Sequence, residues 1–120
     1  MNGATLRAIR TTCGYTLNHF GSLVKVSGRT IATWELDARD VYADVALVAE
    51  TLIEQYREIQ DNVIPQLLAT GDGVYAYRHD SPAPPHGFDR VLWNAAVSAW
   101  AALGGKELHW YGDEDEEGDQ

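Results

Sequence analysis

Residues 16–37 read TLNHFGSLVKVSGRTIATWELD, and the spacing of the caps in this stretch decides the fold. Thr16 and Ser27 are helix N-cap residue types, because a side-chain oxygen there accepts a bond from a backbone N–H that has no partner within the helix. Thr16 predicts a helix through Val24, with Phe20, Leu23 and Val24 as its apolar stripe. Ser27 predicts a second helix over Gly28–Leu36, with Ile31 and Trp34 facing inward. Only Lys25 and Val26 separate the first helix from the second cap. Two short helices joined this tightly form a helix-turn-helix.

Upstream, Leu6, Ile9 and Cys13 share one face of a helix over Ala4–Cys13, which Gly14 ends. Downstream, Asp40 is placed to cap a long helix over Val41–Leu68. Along it Val45, Val48, Leu52, Tyr56 and Ile59 follow one face. Pro65 predicts a kink or break near Asn62–Ile64, and Gly71-Asp72-Gly73 ends the helix. Val74–Arg78 and Glu107–Tyr111 read as short strands, rich in aromatic and β-branched residues. Between them lie an extended connector carrying Pro82, Pro84 and Pro85, then a helix over Phe88–Leu103 ended by Gly104-Gly105. The expected fold is therefore mainly α with a small β element. A helix-turn-helix bundle occupies residues 1–40, a long connecting helix 41–71, and a strand-helix-strand dimerisation element 72–112. The acidic stretch 113–120 has no apolar residue and is expected to be disordered.

The net charge is −9, yet it is unevenly spread: residues 1–40 carry +2, residues 41–112 carry −5 and residues 113–120 carry −6. A mildly basic third thus sits within an acidic chain, and distribution matters more than the sum for an anionic partner. The acidic end reads as a solvated tail, with competition for the basic third as the alternative. The single cysteine, Cys13, rules out an intrachain disulfide and a cysteine-based zinc site within one chain. It reads as a small packed hydrophobe. The N-terminus lacks the apolar core of a signal peptide, and Val91–Leu103 is too short to span a bilayer. The expectation is a cytoplasmic protein without a membrane association. No glycine-rich phosphate loop follows a strand and no histidine pair has metal spacing. An enzyme is therefore not expected, nor a cofactor or metal.

The segment from Thr16 to Glu35 resembles the XRE-type (Cro/cI-like) repressors. Gly21 stands where that family keeps a small residue, Val26-Ser27 where it has its turn and cap, and Ile31, Trp34 and Glu35 match its apolar, aromatic and acidic ending. Arg10 and Glu35 stand where such repressors pair an arginine with a glutamate, tying the first helix to the third. Two positions differ: Lys25 replaces a glycine at the turn, and Leu17 replaces a glutamine that contacts phosphate. The resemblance implies a sequence-specific regulator of transcription that binds double-stranded DNA, with the third helix in the major groove. Gly28, Arg29, Thr30 and Thr33 are then the base-reading candidates, with Arg29 suited to guanine. Thr16, Asn18, Lys25 and Arg39 are the phosphate candidates. So few strong readers predict weak binding by one copy and useful specificity from two copies on a palindromic operator.

Residues 91–103 contain only two polar side chains, Asn94 and Ser98. A helix apolar nearly all round must be buried on more than one side. The expected cover is a second copy, through Leu92, Trp93, Ala96, Val97, Ala99, Trp100 and Leu103 together with Leu108 and Trp110 of the last strand. The alternative is a core helix covered by the long helix of the same chain. The overall layout is also similar to the anti-CRISPR-associated autoregulators of phages, which implies autoregulation at an operator. A competing expectation is an antitoxin or phage-type module whose second half binds a protein partner.

Overall fold

The computed structural model describes residues 1–113 and shows a mainly helical chain with one small parallel sheet. Of the stretch 113–120, expected to be disordered, Asp113 is placed, its carboxylate accepting from Arg78 at 2.9 and 3.0 Å, and the residues after it lie outside the described residues. The chain divides into two compact units, the first ending at Glu54 and the second beginning at Gln55. The division falls inside the long helix rather than at residue 40, where the sequence places the first boundary.

The first unit opens with α1 (Gly3–Thr12), capped by the Asn2 side chain, which accepts from the Thr5 N–H at 2.8 Å. Next come α2 (Leu17–Val24) and α3 (Gly28–Glu35), and α3 packs on both α1 and α2. Leu6, Cys13, Phe20 and Ile31 are fully buried. Burial pushes the Cys13 thiol up to about 11, which keeps it protonated and inert at neutral pH. Two expected core positions are corrected: Leu23 is exposed, and Trp34 is half-buried with its ring edge-on to Tyr42 at 5.4 Å.

The long helix α4 spans Ala43–Glu58. Asp40 does not cap it. Its backbone instead pairs with Asn2 in an antiparallel bridge, while Val41 donates to the Met1 carbonyl at 2.9 Å. Asp44 supplies the negative charge in the first turn, favourable at the positive end of the helix dipole.

At the far end of α4 the proline conflict is resolved without a break. A π turn over Ile59–Val63 leads directly into α5 (Ile64–Thr70), with the Ile64 N–H bonded to the Ile59 carbonyl. Pro65 has no N–H and its ring would press on the carbonyl four residues back. The wider turn removes that clash. Gly71, at φ 78°, ends α5.

The second unit is built on β1 (Tyr75–Ala76), α6 (Arg90–Leu103) and β2 (His109–Trp110). The strands pair in parallel, Tyr75 with His109 and Ala76 with Trp110. Parallel neighbours need a crossover, and α6 provides it. Both strands are shorter than their sequence suggests. After β2 the chain turns back at once, with the Asp113 N–H on the Trp110 carbonyl at 3.1 Å.

The other edge of β1 is closed by side chains of α6. Asn94 accepts from the Tyr77 N–H and donates to the Tyr77 carbonyl, both at 2.8 Å. Trp93 Nε1 donates to the Tyr75 carbonyl at 2.8 Å. One of the two polar residues of an apolar helix thus substitutes for a missing strand. Gln60, in the π turn, donates to the Ala96 carbonyl at 3.2 Å and ties α6 to that turn.

Candidate nucleic-acid interface

The turn between α2 and α3 adopts the geometry that its sequence resists. Lys25 is left-handed, φ 63° and ψ 39°, and its N–H caps α2 on the Gly21 carbonyl. A side chain with a Cβ in that region costs on the order of 1 kcal/mol relative to a helical or extended backbone. The Ser27 hydroxyl accepts from the Thr30 N–H at 3.1 Å, and Thr16 accepts from the His19 N–H at 3.0 Å. Both predicted caps therefore form.

Two glycines let the helices meet. A Cβ at Gly21 would stand 2.5 Å from the Val26 carbonyl oxygen. A Cβ at Gly28 would collide with the Asn18 side-chain oxygen. Gly28 is buried, so its role is helix packing, and it is removed from the base-reading positions.

One ion pair locks α3 to α1. Arg10 Nε and Nη2 donate to the two Glu35 oxygens at 2.6 and 3.0 Å, and Nη1 donates to the Tyr15 carbonyl at 2.9 Å. Side-chain exposure is 11% for Arg10 and 5% for Glu35. The bonds to Glu35 hold the Arg10 guanidinium above its ordinary pKa. Such a bidentate pair fixes direction as well as distance. It sets the C-terminal end of α3 while leaving the opposite face free.

That free face presents Arg29 and Thr33, both exposed and four residues apart. Among the described residues Arg29 has no ion-pair partner. The threonines are less available than their sequence implies. Thr30 Oγ1 shares a hydrogen bond with Ser27 Oγ at 2.9 Å, and Thr33 Oγ1 donates to the Arg29 carbonyl at 3.1 Å.

The phosphate candidates divide. Thr16, Asn18 and Lys25 are exposed around the α2 and α3 termini. Arg39 is exposed but held by Asp37, with Nη2 to Oδ2 at 2.8 Å and Nε to Oδ2 at 3.1 Å. The Arg39 bonds pull the Asp37 carboxyl down to about 2. A phosphate approaching Arg39 therefore competes with Asp37. Arg7, not among the phosphate candidates, is exposed and lines a cleft of about 220 Å³ with Arg10, Leu17, Ala32, Glu35 and Leu36. Its place three residues before Arg10 on one helix face was the available signal.

The positions assigned to a dimer interface also divide. Leu92, Trp93, Ala96 and Val97 are fully buried within the chain, where α6 packs on β1 and the π turn. They are core, not a free face, because the aromatic strand residues and the π turn cover more of α6 than the sequence suggests. Tyr77 and Phe88 lie against Trp93 at 6.2 and 6.1 Å between ring centroids. Ala99, Trp100 and Leu108 are half-buried, Trp110 is 43% exposed and Leu103 is 89% exposed.

Among the described residues no group of three or more histidine, cysteine, aspartate or glutamate side chains is placed to hold a metal ion. No helix among them is long and apolar enough to cross a membrane. The sequence matches no family model and no curated protein.

Proposed function

We propose that this chain is a sequence-specific DNA-binding regulator that acts as a homodimer on a palindromic operator, with α3 as the recognition helix. The observation that carries the reading is the lock on α3. Two caps, a left-handed turn residue and a buried ion pair fix an eight-residue helix, while Arg29 projects from it without an ion-pair partner among the described residues. A helix held this rigidly by its neighbours, with a guanidinium on its open face, suits major-groove readout. Repression, with autoregulation of its own operator, is the mode the sequence resemblance favours.

Selection of bound fragments from random duplex DNA tests the reading. The expected product is a palindrome whose half-sites are spaced by about one helical turn, bound with an affinity that falls steeply with salt. Arg29→Ala should then weaken specific binding by about 1–3 kcal/mol without altering the circular dichroism. No enriched sequence, or an operator affinity indifferent to Arg29, overturns the proposal. Leu103, Trp100 and Trp110 remain open for self-association, and sedimentation as a monomer at micromolar concentration would remove the dimer. The exposure of Leu103, Trp110 and Tyr111 also favours a second reading, a protein partner on the second unit. A stable heteromeric complex without DNA binding would select it.

A further inference from the structure

We infer that Thr33 reads a thymine through its methyl group and not through its hydroxyl, so that α3 recognises a guanine close to a thymine in each half-site. The inference rests on the DNA-binding reading above and specifies the bases that it takes.

The argument starts from what each hydroxyl is already doing. Thr33 Oγ1 donates its only proton to the carbonyl of Arg29, one turn back at 3.1 Å. It has no proton left for guanine O6 or N7, adenine N7 or thymine O4, the acceptors of the major groove, and could meet a base only by accepting from an adenine or cytosine amino group, a contact that Thr33→Val would abolish and Thr33→Ser would keep. Thr30 Oγ1 is bonded to Ser27 Oγ, the oxygen that caps α3. Drawing Thr30 towards a base would disturb that cap. Gly28 carries no side chain and is buried under Asn18. Of the four positions on α3 that the sequence offers for base contact, Arg29 retains free donors and Thr33 does not, while the Thr30 hydroxyl is tied to Ser27 with either oxygen as the donor. Thr33 is exposed and retains a methyl group on the same face, four residues on.

The thymine C5-methyl is the one apolar group that the major groove displays, and threonine methyls pack against it. Four residues of helix rise about 6 Å, which is about two base steps at 3.4 Å per step. The guanine met by Arg29 and the thymine met by Thr33 should therefore lie within about two steps of each other.

The test uses two substitutions that divide the side chain. Thr33→Val keeps the methyl and removes the hydroxyl; Thr33→Ser keeps the hydroxyl and removes the methyl. Binding is measured on the selected operator, and on the same operator with each thymine replaced in turn by uracil, which deletes only the C5-methyl. Thr33→Val should bind within about twofold of the parent protein. Thr33→Ser should lose about fourfold per subunit, the value of one buried methyl-sized group. One uracil position should weaken the parent by a similar factor and leave Thr33→Ser unaffected. If Thr33→Val loses affinity while Thr33→Ser keeps it, the hydroxyl is the reader and the inference is wrong. An operator in which no uracil position weakens the parent also overturns it, while the DNA-binding reading stands. A parent protein that enriches no duplex overturns that reading first and this one with it. Thermal unfolding of both variants confirms that the comparison is between folded proteins.

Discussion

The two units solve the problem of a small core in opposite ways. In the first, polar groups do the fixing: the caps at Asn2, Thr16 and Ser27 and the buried Arg10–Glu35 pair set three short helices. In the second, aromatic side chains fill the interior around Trp93, with Tyr77 and Phe88 against its ring. A bidentate ion pair fixes direction as well as distance. A non-directional aromatic core fixes burial rather than direction. Helices are thus held by directional polar bonds in one unit and by buried rings in the other.

The largest expected effect breaks the lock in the first unit. Glu35→Ala leaves Arg10 with a buried, uncompensated charge and should lower stability by about 3 kcal/mol in thermal or urea unfolding. A loss below about 1 kcal/mol would show that packing, not the ion pair, fixes α3. In the second unit the matching change is Asn94→Ala. It strips partners from both backbone groups of the buried Tyr77 and should cost about 2 kcal/mol. Hydrogen exchange should then rise at the Tyr77 amide while the amides of α3 keep their protection. Rapid exchange at α3 as well would make the two units one cooperative body and undo the contrast.

A smaller effect of opposite sign sharpens the same comparison. Lys25→Gly relieves the left-handed turn and should raise stability by up to about 1 kcal/mol in denaturant titration. It also removes a candidate phosphate contact, so operator affinity should fall while stability rises. The smallest effect lies at the Asp37–Arg39 pair, in which Arg39 is exposed and Asp37 half-buried. Asp37 has its carboxyl lowered from 3.8 to about 2 by Arg39. The contribution of this pair is complete above 3.8 and is lost as pH falls through about 2. Arg39→Ala should return the Asp37 titration, followed by NMR, to near 3.8. The change in overall stability should be small because Arg39 is 88% exposed and its pairing with Asp37 is screened by solvent.

Much of the first unit was legible from local chemistry. Caps, turn and ion pair each depend on residues a few positions apart, or on one pairing implied by family resemblance, and α2 begins and ends where Thr16 and Lys25 place it. The hydroxyl partners of Thr30 and Thr33 were not legible, because the same threonine can point to solvent or bond back to the helix. The pairing of Asp40 with Asn2 was hidden for a related reason: an N-cap residue type also suits an extended bridge, and only the returning N-terminus selects between them. Gly28 showed the same ambiguity, since a glycine that permits close approach does not say what approaches.

The helix-turn-helix, the order of elements and the apolar nature of α6 follow from caps, periodicity and composition, all local properties of the chain. Which side chains stay free follows instead from long-range packing. Asn94 closes an edge of β1, Leu92, Trp93, Ala96 and Val97 sink into the core, and Asp37 holds Arg39. Exposure and hydrogen-bond pairing are set by contacts between residues distant in the chain, and local pattern carries no record of them.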